Sequence, residues 1–367
     1  PTVDVLDAPL RRLTAAQYQN VVRDVLGPNV VLPARLEPDI RSSGLVAVGA
    51  ARTTLSELGL ERYEKAALDL AEQALAEDAR ARLVSCQPRA TVDDGCSRAF
   101  IQSVGRRLWR RPLTEEESAL WVGVARDAAA SLGNFHEGLS LALAGLLQSP
   151  NFLYRFERPD GDVLEPWVLA SRLSFLMWNS GPDDALLDAA ATGALGTNEG
   201  VRTQIDRMLA SSRMKAGVRA FFTDLFELDR LDELQKDPQL FVHFDSALGP
   251  AAREQTLLDI ERLVFELDGD YRDLFVQSQT FVDRRLAAIY DVPAPAREGF
   301  GLAEIPPSSG RRGLLGQVSF LALHGHAVST SAVLRGRFVR GVLLCDIIPP
   351  PPVNLNTALP EPTSEAP

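Results

Sequence analysis

Two histidines separated by a single glycine, His324 and His326, have the spacing best suited to chemistry in this chain. In an extended segment alternate side chains project to one side, so both imidazoles could bind one metal ion, with a carboxylate or Cys345 completing the ligand shell. The structural alternative places the pair in a loop that helps the run Ser-Thr-Ser at 329–331 to cap a helix predicted over 331–345. Spacing alone leaves both interpretations open.

Other catalytic signatures are missing from the sequence. It contains no G-x-S-x-G elbow, no H-E-x-x-H, no glycine-rich phosphate loop and no C-x-x-C pair. The remaining histidines, His136 and His243, each stand alone. An active site assembled from distant residues stays open, and no enzymatic activity is assigned from the sequence.

An arginine cluster, "GRRLWRRPL", places Arg106, Arg107, Arg110 and Arg111 around Trp109. Guanidinium groups bind carboxylates and phosphates in bidentate fashion and stack on indole rings. The cluster therefore fits either an anion site or structural pairing with the acidic helices in which this chain is rich.

Cys86 and Cys96 bracket a loop that contains proline and glycine, "QPRATVDDG". A disulfide across such a loop is geometrically feasible, and disulfides persist in oxidising compartments. The alternative is a pair of unpaired thiols on a cytoplasmic loop. We predict the Cys86–Cys96 disulfide and, with it, an extracytoplasmic location.

The elements that must position these residues are predicted to be helices. "LTAAQYQNVVRDVLG" begins with Thr14 three residues before Gln17, and "LTEEESALWVGVARDAAASLG" repeats the pattern with Thr114 and Glu117, which is typical of a capping box. Apolar residues recur near helical spacing in most later segments, whereas strand-type alternation is scarce. The sequence predicts a mainly α, multi-helical, bundle-like fold with long ordered loops and a C-terminal polyproline segment.

Composition limits the classes of partner. A net charge of −11 and a pI near 5.0 leave no global basic field for nucleic acid. No uninterrupted apolar run reaches the roughly 20 residues that a membrane-spanning helix needs. We therefore expect neither nucleic acid as a partner nor a transmembrane segment, although a lipoprotein anchor upstream of Pro1 is compatible with the sequence.

Shifts in composition suggest the domain organisation. We predict an N-terminal helical region over 1–84 and a central helical region over 85–292. The stretch 293–313 is rich in proline and glycine and is typical of an ordered loop or interdomain linker. It opens a region at 293–352 that also holds the His-x-His loop and the last helix, and an extended tail is predicted over 353–367.

Several segments resemble the planctomycete-specific domains and the planctomycete cytochrome C domains, modules of unknown function found in exported multidomain proteins, also in myxobacteria. The resembling segments are "APLRRLTAAQYQNVVRDVLG", "FIQSVGRRLWRRPLTEEE", "LLQSPNFLYRFE", "LASRLSFLMWNSGPDDALLDAA", "TFVDRRLAAIYDV" and "RRGLLGQVSFLALHGHAVSTSAVLRGRFVRGVLLCDIIPPPPVNL". They span nearly the whole chain in the order usual for the family. In that family the polyproline stretch leads into a last module with the haem c signature C-x-x-C-H, which the three cysteines of this sequence do not form.

The resemblance implies an exported protein, in the periplasm, at the outer membrane or secreted, associated with c-type cytochrome electron transfer. We expect no covalent cofactor in this chain, with haem c in a further C-terminal module or a partner chain. The candidate cofactor-binding residues are His324, His326 and Arg335. Two alternatives stay open: an exported metal-dependent oxidoreductase or hydrolase that uses His324 and His326, and a non-catalytic protein of the cell envelope or a surface assembly.

Overall fold

The computed structural model describes residues 10–52, 54–156, 159–160 and 163–349. The described chain is mainly α-helical, with only short strands, which confirms the predicted fold class. The predicted polyproline segment from residue 350 onward and the predicted tail at 353–367 lie outside the described residues. In the described part, no helix is both long and apolar enough to cross a membrane.

The chain divides into two units, residues 1–224 and 225–367. The predicted domain boundaries near 84 and 292 rest on shifts in composition, whereas the two units are divided by their internal contacts. Those boundaries therefore stay predictions. The helices of the first unit are α1 (Ala15–Leu26), α2 (Val46–Gly49), α3 (Glu57–Leu75), α4 (Asp94–Trp109), α5 (Glu115–Leu132), α6 (Phe135–Gln148), α7 (Pro150–Leu153), α8 (Pro166–Trp178), α9 (Asp184–Ala191), α10 (Asn198–Leu209) and α11 (Met214–Leu225), the last of which contains the division. Its strands are β1 (Arg11–Arg12), β2 (Tyr154–Arg155), β3 (Pro159–Asp160) and β4 (Val163–Leu164), paired antiparallel as β1 with β2 and β3 with β4.

Local signals in the sequence set the helix starts of the first unit. Both predicted capping boxes are present: the Thr14 hydroxyl accepts from the Gln17 N–H at the start of α1, and Thr114 accepts from the Glu117 N–H at the start of α5. In each box the side chain three residues on also reaches back to the amide of the cap. Such reciprocal bonds satisfy backbone donors that a helix N-terminus otherwise leaves unpaired.

The core of the first unit is a large apolar cluster contributed mainly by α1, α3, α4 and α6. Tyr18 and Phe152 are fully buried in it with ring centroids 5.3 Å apart. A smaller cluster gathers around Trp178, whose indole N–H donates to the Met208 carbonyl oxygen at 3.2 Å. These clusters follow the helical spacing of apolar residues that the sequence displays.

The predicted disulfide is confirmed, with Cys86 and Cys96 joined and their Cα atoms 5.7 Å apart. It ties the loop before α4 to the first turn of that helix. Asp93 caps the same turn by accepting from the Cys96 N–H at 3.0 Å. Covalent and hydrogen-bonded constraints therefore act on one loop.

The arginine cluster around Trp109 is engaged within the protein. Arg106 and Arg107 form ion pairs with Asp188 and Asp184 of α9, and Arg111 pairs with Glu117. The buried Arg110 guanidinium donates to four backbone carbonyl oxygens, those of Leu108, Asn151, Phe152 and Tyr154. Pairing with carboxylates accounts for Arg106, Arg107 and Arg111, and hydrogen bonds to the backbone account for Arg110.

The second unit is built around α12. Its helices are α12 (Leu248–Glu261), α13 (Arg284–Tyr290), α14 (Val318–Leu323) and α15 (Ala332–Phe338), with π-helical turns at Arg262–Glu266 and Val339–Leu343. Strands β5 (Gln279–Val282) and β6 (Gly301–Glu304) pair antiparallel. Because β6 lies inside the proline- and glycine-rich stretch at 293–313, that stretch is a paired part of the second unit and not a free linker. Short 3-10 turns complete this unit at Leu228–Glu233, Tyr271–Phe275, Pro307–Ser309 and Leu314–Gly316.

Candidate functional site in the second unit

The His-x-His segment lies in a tight loop between α14 and α15. His324 ends α14, with its backbone N–H donating to the Phe320 carbonyl oxygen at 3.1 Å. The loop then doubles back, since the His326 N–H donates to the Ser329 carbonyl oxygen at 2.8 Å. Ser331 caps α15 by accepting from the Leu334 N–H at 3.2 Å. The loop therefore precedes the last helix and is closed by its own backbone, as the structural interpretation predicts.

A buried polar network holds the start of α14. The Asp259 carboxylate, on α12, accepts hydrogen bonds from the Thr280 hydroxyl at 2.5 Å and from the Gln317 amide at 2.6 Å. It also accepts from the Phe281 backbone N–H at 3.0 Å. One carboxyl group thereby connects α12, β5 and the residue that precedes α14.

Neighbouring side chains extend this network. The Gln255 amide donates to Thr280, and the Tyr290 hydroxyl donates to Gln255 while it accepts from the Val318 N–H at 2.8 Å. The Thr256 hydroxyl lies 2.6 Å from that of Ser319, on the first turn of α14. Because buried polar groups are costly when left unpaired, this arrangement fixes α14 more specifically than apolar contacts would.

Burial controls the charge of Asp259. Desolvation raises the pKa of this carboxyl to about 7, against the opposing effect of the hydrogen bonds from Thr280, Phe281 and Gln317. Asp259 is 3% exposed. This carboxyl at the start of α14 has the most strongly raised pKa among the acidic residues in the described part of the chain.

His324 is a buried, neutral side chain. Its ring packs against Phe320 and Phe338, with centroid distances of 4.9 and 4.5 Å, and these two rings also contact each other at 5.4 Å. Burial lowers the pKa of His324 to about 4, with Glu227 raising it and Arg230 lowering it to smaller extents. The buried Nε2 atom has no hydrogen-bond partner. An aromatic box thus holds the imidazole uncharged at neutral pH.

His326 is exposed on the loop, and Arg335 lies on the helix that follows it. His326 is exposed, and its carbonyl oxygen accepts a hydrogen bond from the Lys236 ammonium at 2.7 Å. Lys236 also donates to the Gly325 carbonyl oxygen at 3.1 Å, and the Asp237 N–H donates to that of Ala327 at 2.9 Å. The half-buried Arg335 donates to the Thr330 hydroxyl. Hydrogen bonds from residues 236 and 237 therefore hold the backbone of the loop in place.

The metal interpretation assumed an extended segment at both histidines. His324 instead has φ −104° and ψ 36° at the end of a helix and is buried, whereas His326 is exposed. Across the described ranges, no group of three or more His, Cys, Asp or Glu side chains is placed to hold a metal ion. The assignment of His324, His326 and Arg335 as cofactor-binding residues stays a prediction.

The last helix differs from its predicted course. Regular α-helix ends at Phe338, and the chain continues as a π-helical turn in which the Leu344 N–H donates to the Val339 carbonyl oxygen at 3.0 Å. The turn ends before Cys345, which has a positive φ of 54° and an exposed free thiol. Apolar residues at helical spacing, Val333 and Phe338 among them, predict an apolar face of this helix directed at the core, but Val333 is 77% exposed. The spacing of apolar residues predicts one regular helix as far as residue 345 and does not indicate the wider π-helical turn at Val339–Leu343.

Asp259, Gln317 and Lys236 were missed by the sequence reasoning. A signal existed for Asp259, because Gln255, Thr256 and Asp259 share one face of α12 with its apolar residues, and polar groups buried on such a face need polar partners. Lys236 is one of only three lysines in an arginine-rich chain, a pattern with no obvious local meaning.

Four family models match successive parts of the chain. They are PSD3, a protein of unknown function (DUF1587), at residues 11–76; PSD5, a protein of unknown function (DUF1595), at 96–157; PSD4, a protein of unknown function (DUF1592), at 164–292; and PSCyt3, a protein of unknown function (DUF1588), at 311–366. The PSCyt3 match begins at Arg311 and includes α14, the His-x-His loop and α15. No curated protein and no solved structure matches the chain. The ordered matches cover most of its length, and the chain belongs to the planctomycete-specific and planctomycete cytochrome C domain family.

Proposed function

We propose that this protein is an extracytoplasmic helical scaffold that docks a haem c-bearing module on residues 326–348, here called the docking segment. Family membership supports the association with cytochrome modules. The Cys86–Cys96 disulfide supports an oxidising compartment. The haem supplies one-electron redox chemistry, and this chain would set the position and surroundings of its carrier.

The observation that carries the proposal is the exposure of large apolar side chains in the docking segment. Val333 is 77% exposed, Leu344 63%, Ile347 93% and Ile348 45%. Single exposed apolar residues are common on protein surfaces, but several within one short segment are typical of an interaction surface. We therefore take the docking segment as the region that a partner covers.

The charge of the docking segment also suits a partner with carboxylates. It contains Arg335, Arg337 and Arg340 but only one acidic residue, Asp346, in a chain whose net charge is −11. Arg340 pairs with Asp346 at 3.2 Å, whereas the exposed Arg337 has no ion pair within the described residues. Haem propionates and acidic surfaces are complementary to such a locally basic segment.

The two histidines fit different parts in this proposal. His324 is enclosed by Phe320 and Phe338, so it supports the docking segment from beneath and is poorly placed to reach a haem iron. His326 and Arg335 are accessible and would contact the docked module directly. The chain would thus receive a haem carrier without itself ligating the iron.

The test is binding of a separately expressed haem c module of this family, measured by titration calorimetry. The double variant Leu344→Asp/Ile347→Asp should weaken binding at least tenfold, because it replaces exposed apolar contacts with charges that lack partners. The matched control Leu120→Asp/Leu176→Asp alters two exposed leucines of the first unit and should leave affinity unchanged. Absence of wild-type binding, or equal affinities for the two double variants, would refute the proposal.

A further inference from the structure

A cavity of about 400 Å³ lies within the second unit. Its walls are mainly apolar and include Leu234, Phe244, Leu248, Ile289, Val318 and Leu321. Leu240 and Val242, at 60% and 77% exposed, lie on its rim. This volume is in the range of small-molecule sites, about 300–1,000 Å³. The cavity is large enough for an organic ligand and is open to solvent.

Lys236 gives this apolar cavity a cationic wall. Its ammonium is half-buried and donates to two carbonyl oxygens, which leaves its third N–H free of a protein acceptor. The Phe241 ring centroid lies 5.9 Å from Nζ. No carboxylate of the described residues lies within ion-pair distance of Lys236. Desolvation lowers the pKa of the group, as expected for a cation whose charge is incompletely compensated.

Arg311 is a second cation on the same cavity. It donates to the Gly316 carbonyl oxygen at 3.0 Å and lies over the Tyr290 ring at 5.3 Å, yet it too forms no ion pair in the described part of the chain. Acidic residues outnumber basic ones in this protein, 49 to 38, and most of the arginines discussed above have carboxylate partners. Two cations that form no ion pair within the described residues thus line one apolar cavity, which favours an anionic ligand there.

We infer that the cavity is a binding site for an amphipathic carboxylate, such as a medium-chain fatty acid, with its alkyl chain against the apolar walls and its carboxylate on Lys236, in a cavity that Arg311 also makes positive. The carboxylate supplies the counter-charge that Lys236 lacks. The alkyl chain covers the apolar surface from Leu240 to Leu321. A neutral alcohol would satisfy only the apolar part, and an alkylammonium would be repelled by the two cations.

The bound carboxylate would also lie next to the His-x-His loop. Gly325, Ser329 and Thr330 line the cavity, and Lys236 holds the carbonyl oxygens of Gly325 and His326. A carboxylate on Lys236 therefore binds beside the loop that precedes the docking segment. The inference stands independently of haem-module docking, because Leu344 and Ile347 do not line the cavity.

The test is titration calorimetry of the purified chain with decanoate, decanol and decylammonium, each below its micelle-forming concentration. Decanoate should bind at least tenfold more tightly than decanol, and decylammonium should show no binding. Affinity should rise about fourfold for each methylene added from octanoate to decanoate, because each is removed from water. Equal affinities for decanoate and decanol, or no saturable binding of decanoate, would overturn the inference.

Two variants locate the site. Lys236→Met keeps the length and apolar stem of the side chain and should weaken decanoate at least tenfold while decanol is unchanged. Lys65→Met is the matched control, since Lys65 is an exposed lysine of the first unit paired with Asp69. Should Lys236→Met fail to fold, Val242→Asp at the exposed rim should selectively weaken decanoate through charge repulsion. Unchanged decanoate affinity in a folded Lys236→Met or in Val242→Asp would contradict this site.

Discussion

The two units of this protein use polar groups in different ways. In the first, Arg106, Arg107 and Arg111 have carboxylate partners, and the buried Arg110 is surrounded by four carbonyl oxygens. Burial lowers the pKa of Arg110 to about 9, so this group stays charged at neutral pH. In the second unit, burial brings Asp259 close to neutral pH and keeps His324 uncharged. The buried arginine of the first unit thus keeps its charge at neutral pH, whereas burial shifts the charge state of a carboxyl and of a histidine in the second unit.

The difference indicates where function resides. Ion pairs such as Arg107 with Asp184 join helices and need no ligand. In the second unit, by contrast, Lys236 and Arg311 lack carboxylate partners within the described residues, and both line the same cavity. Groups with perturbed pKa values and unpaired charges beside a cavity are typical of functional sites. We therefore expect the first unit to act as a structural framework and the second unit to respond to pH and to ligands.

The largest effect is expected at Asp259. A carboxyl whose pKa is higher in the folded than in the unfolded protein stabilises the fold fully below about pH 4, and this contribution is lost as the pH rises to about 7. The loss amounts to as much as about 4 kcal/mol, since Asp259 is almost completely buried. Compared with Asp259→Asn, the wild type should lose stability between pH 4 and pH 8 in urea unfolding. A constant difference between the two proteins across this range would show that Asp259 does not titrate as described.

His324 should give the opposite pH dependence, and a slightly smaller one. Its pKa is lower in the folded protein, about 4 against 6.5, so its contribution to stability is present above pH 6.5 and lost as the pH falls to about 4. The facing groups are Phe320, Phe338, Glu227 and Arg230. Compared with His324→Phe, the wild type should lose about 3 kcal/mol on acidification from pH 7 to pH 4.

The control for both variants is His326→Gln, because the ring of this exposed histidine contacts no other side chain among the described residues. The difference in unfolding free energy between His326→Gln and the wild type should be small. The windows of Asp259 and His324 overlap with opposite signs, so the two contributions partly cancel in the wild type. If the unfolding free energies of His324→Phe and the wild type differ by the same amount at every pH, water solvates the His324 ring and burial does not lower its pKa.

The sequence predicted what depends on neighbouring residues. Thr14 with Gln17 and Thr114 with Glu117 form their capping boxes because all the partners lie within one helical turn. The disulfide was predictable because Cys86 and Cys96 are close in the chain. The family assignment is likewise confirmed, since it rested on long continuous segments.

The site in the second unit depends on distant residues. Asp259 and Gln317 are 58 positions apart, and Lys236 is 89 positions from the Gly325 carbonyl it binds. No local pattern indicates that these groups meet, because their pairing follows from how α12, β5 and α14 pack. The same limit applies to His324, since only its burial against Phe320 and Phe338 distinguishes it from the exposed His326.

A third prediction concerns the covalent link of the first unit. The double variant Cys86→Ser/Cys96→Ser should lower the free energy of unfolding by about 2 to 3 kcal/mol, because it releases the loop that the disulfide closes. Its decanoate affinity should equal that of the wild type, since the cavity lies in the second unit. Thiol labelling of the unfolded, non-reduced wild type should modify one cysteine per chain, Cys345. Labelling of all three cysteines would refute the disulfide.

The smallest effects are expected from two helix caps that are alike in geometry and differ in setting. Thr114→Ala removes the cap of α5, and Ser331→Ala removes that of α15; each accepts one backbone N–H at 3.2 Å. Both variants should lose about 1 kcal/mol of unfolding free energy, the usual value for an N-cap. Only Ser331→Ala should also weaken binding of the haem c module, because α15 carries the docking segment while α5 belongs to the framework. The two cap variants could lose the same amount of stability and still bind the haem c module with equal affinity. Order at the start of α15 would then not matter for docking, and the docking segment would act through its exposed side chains alone.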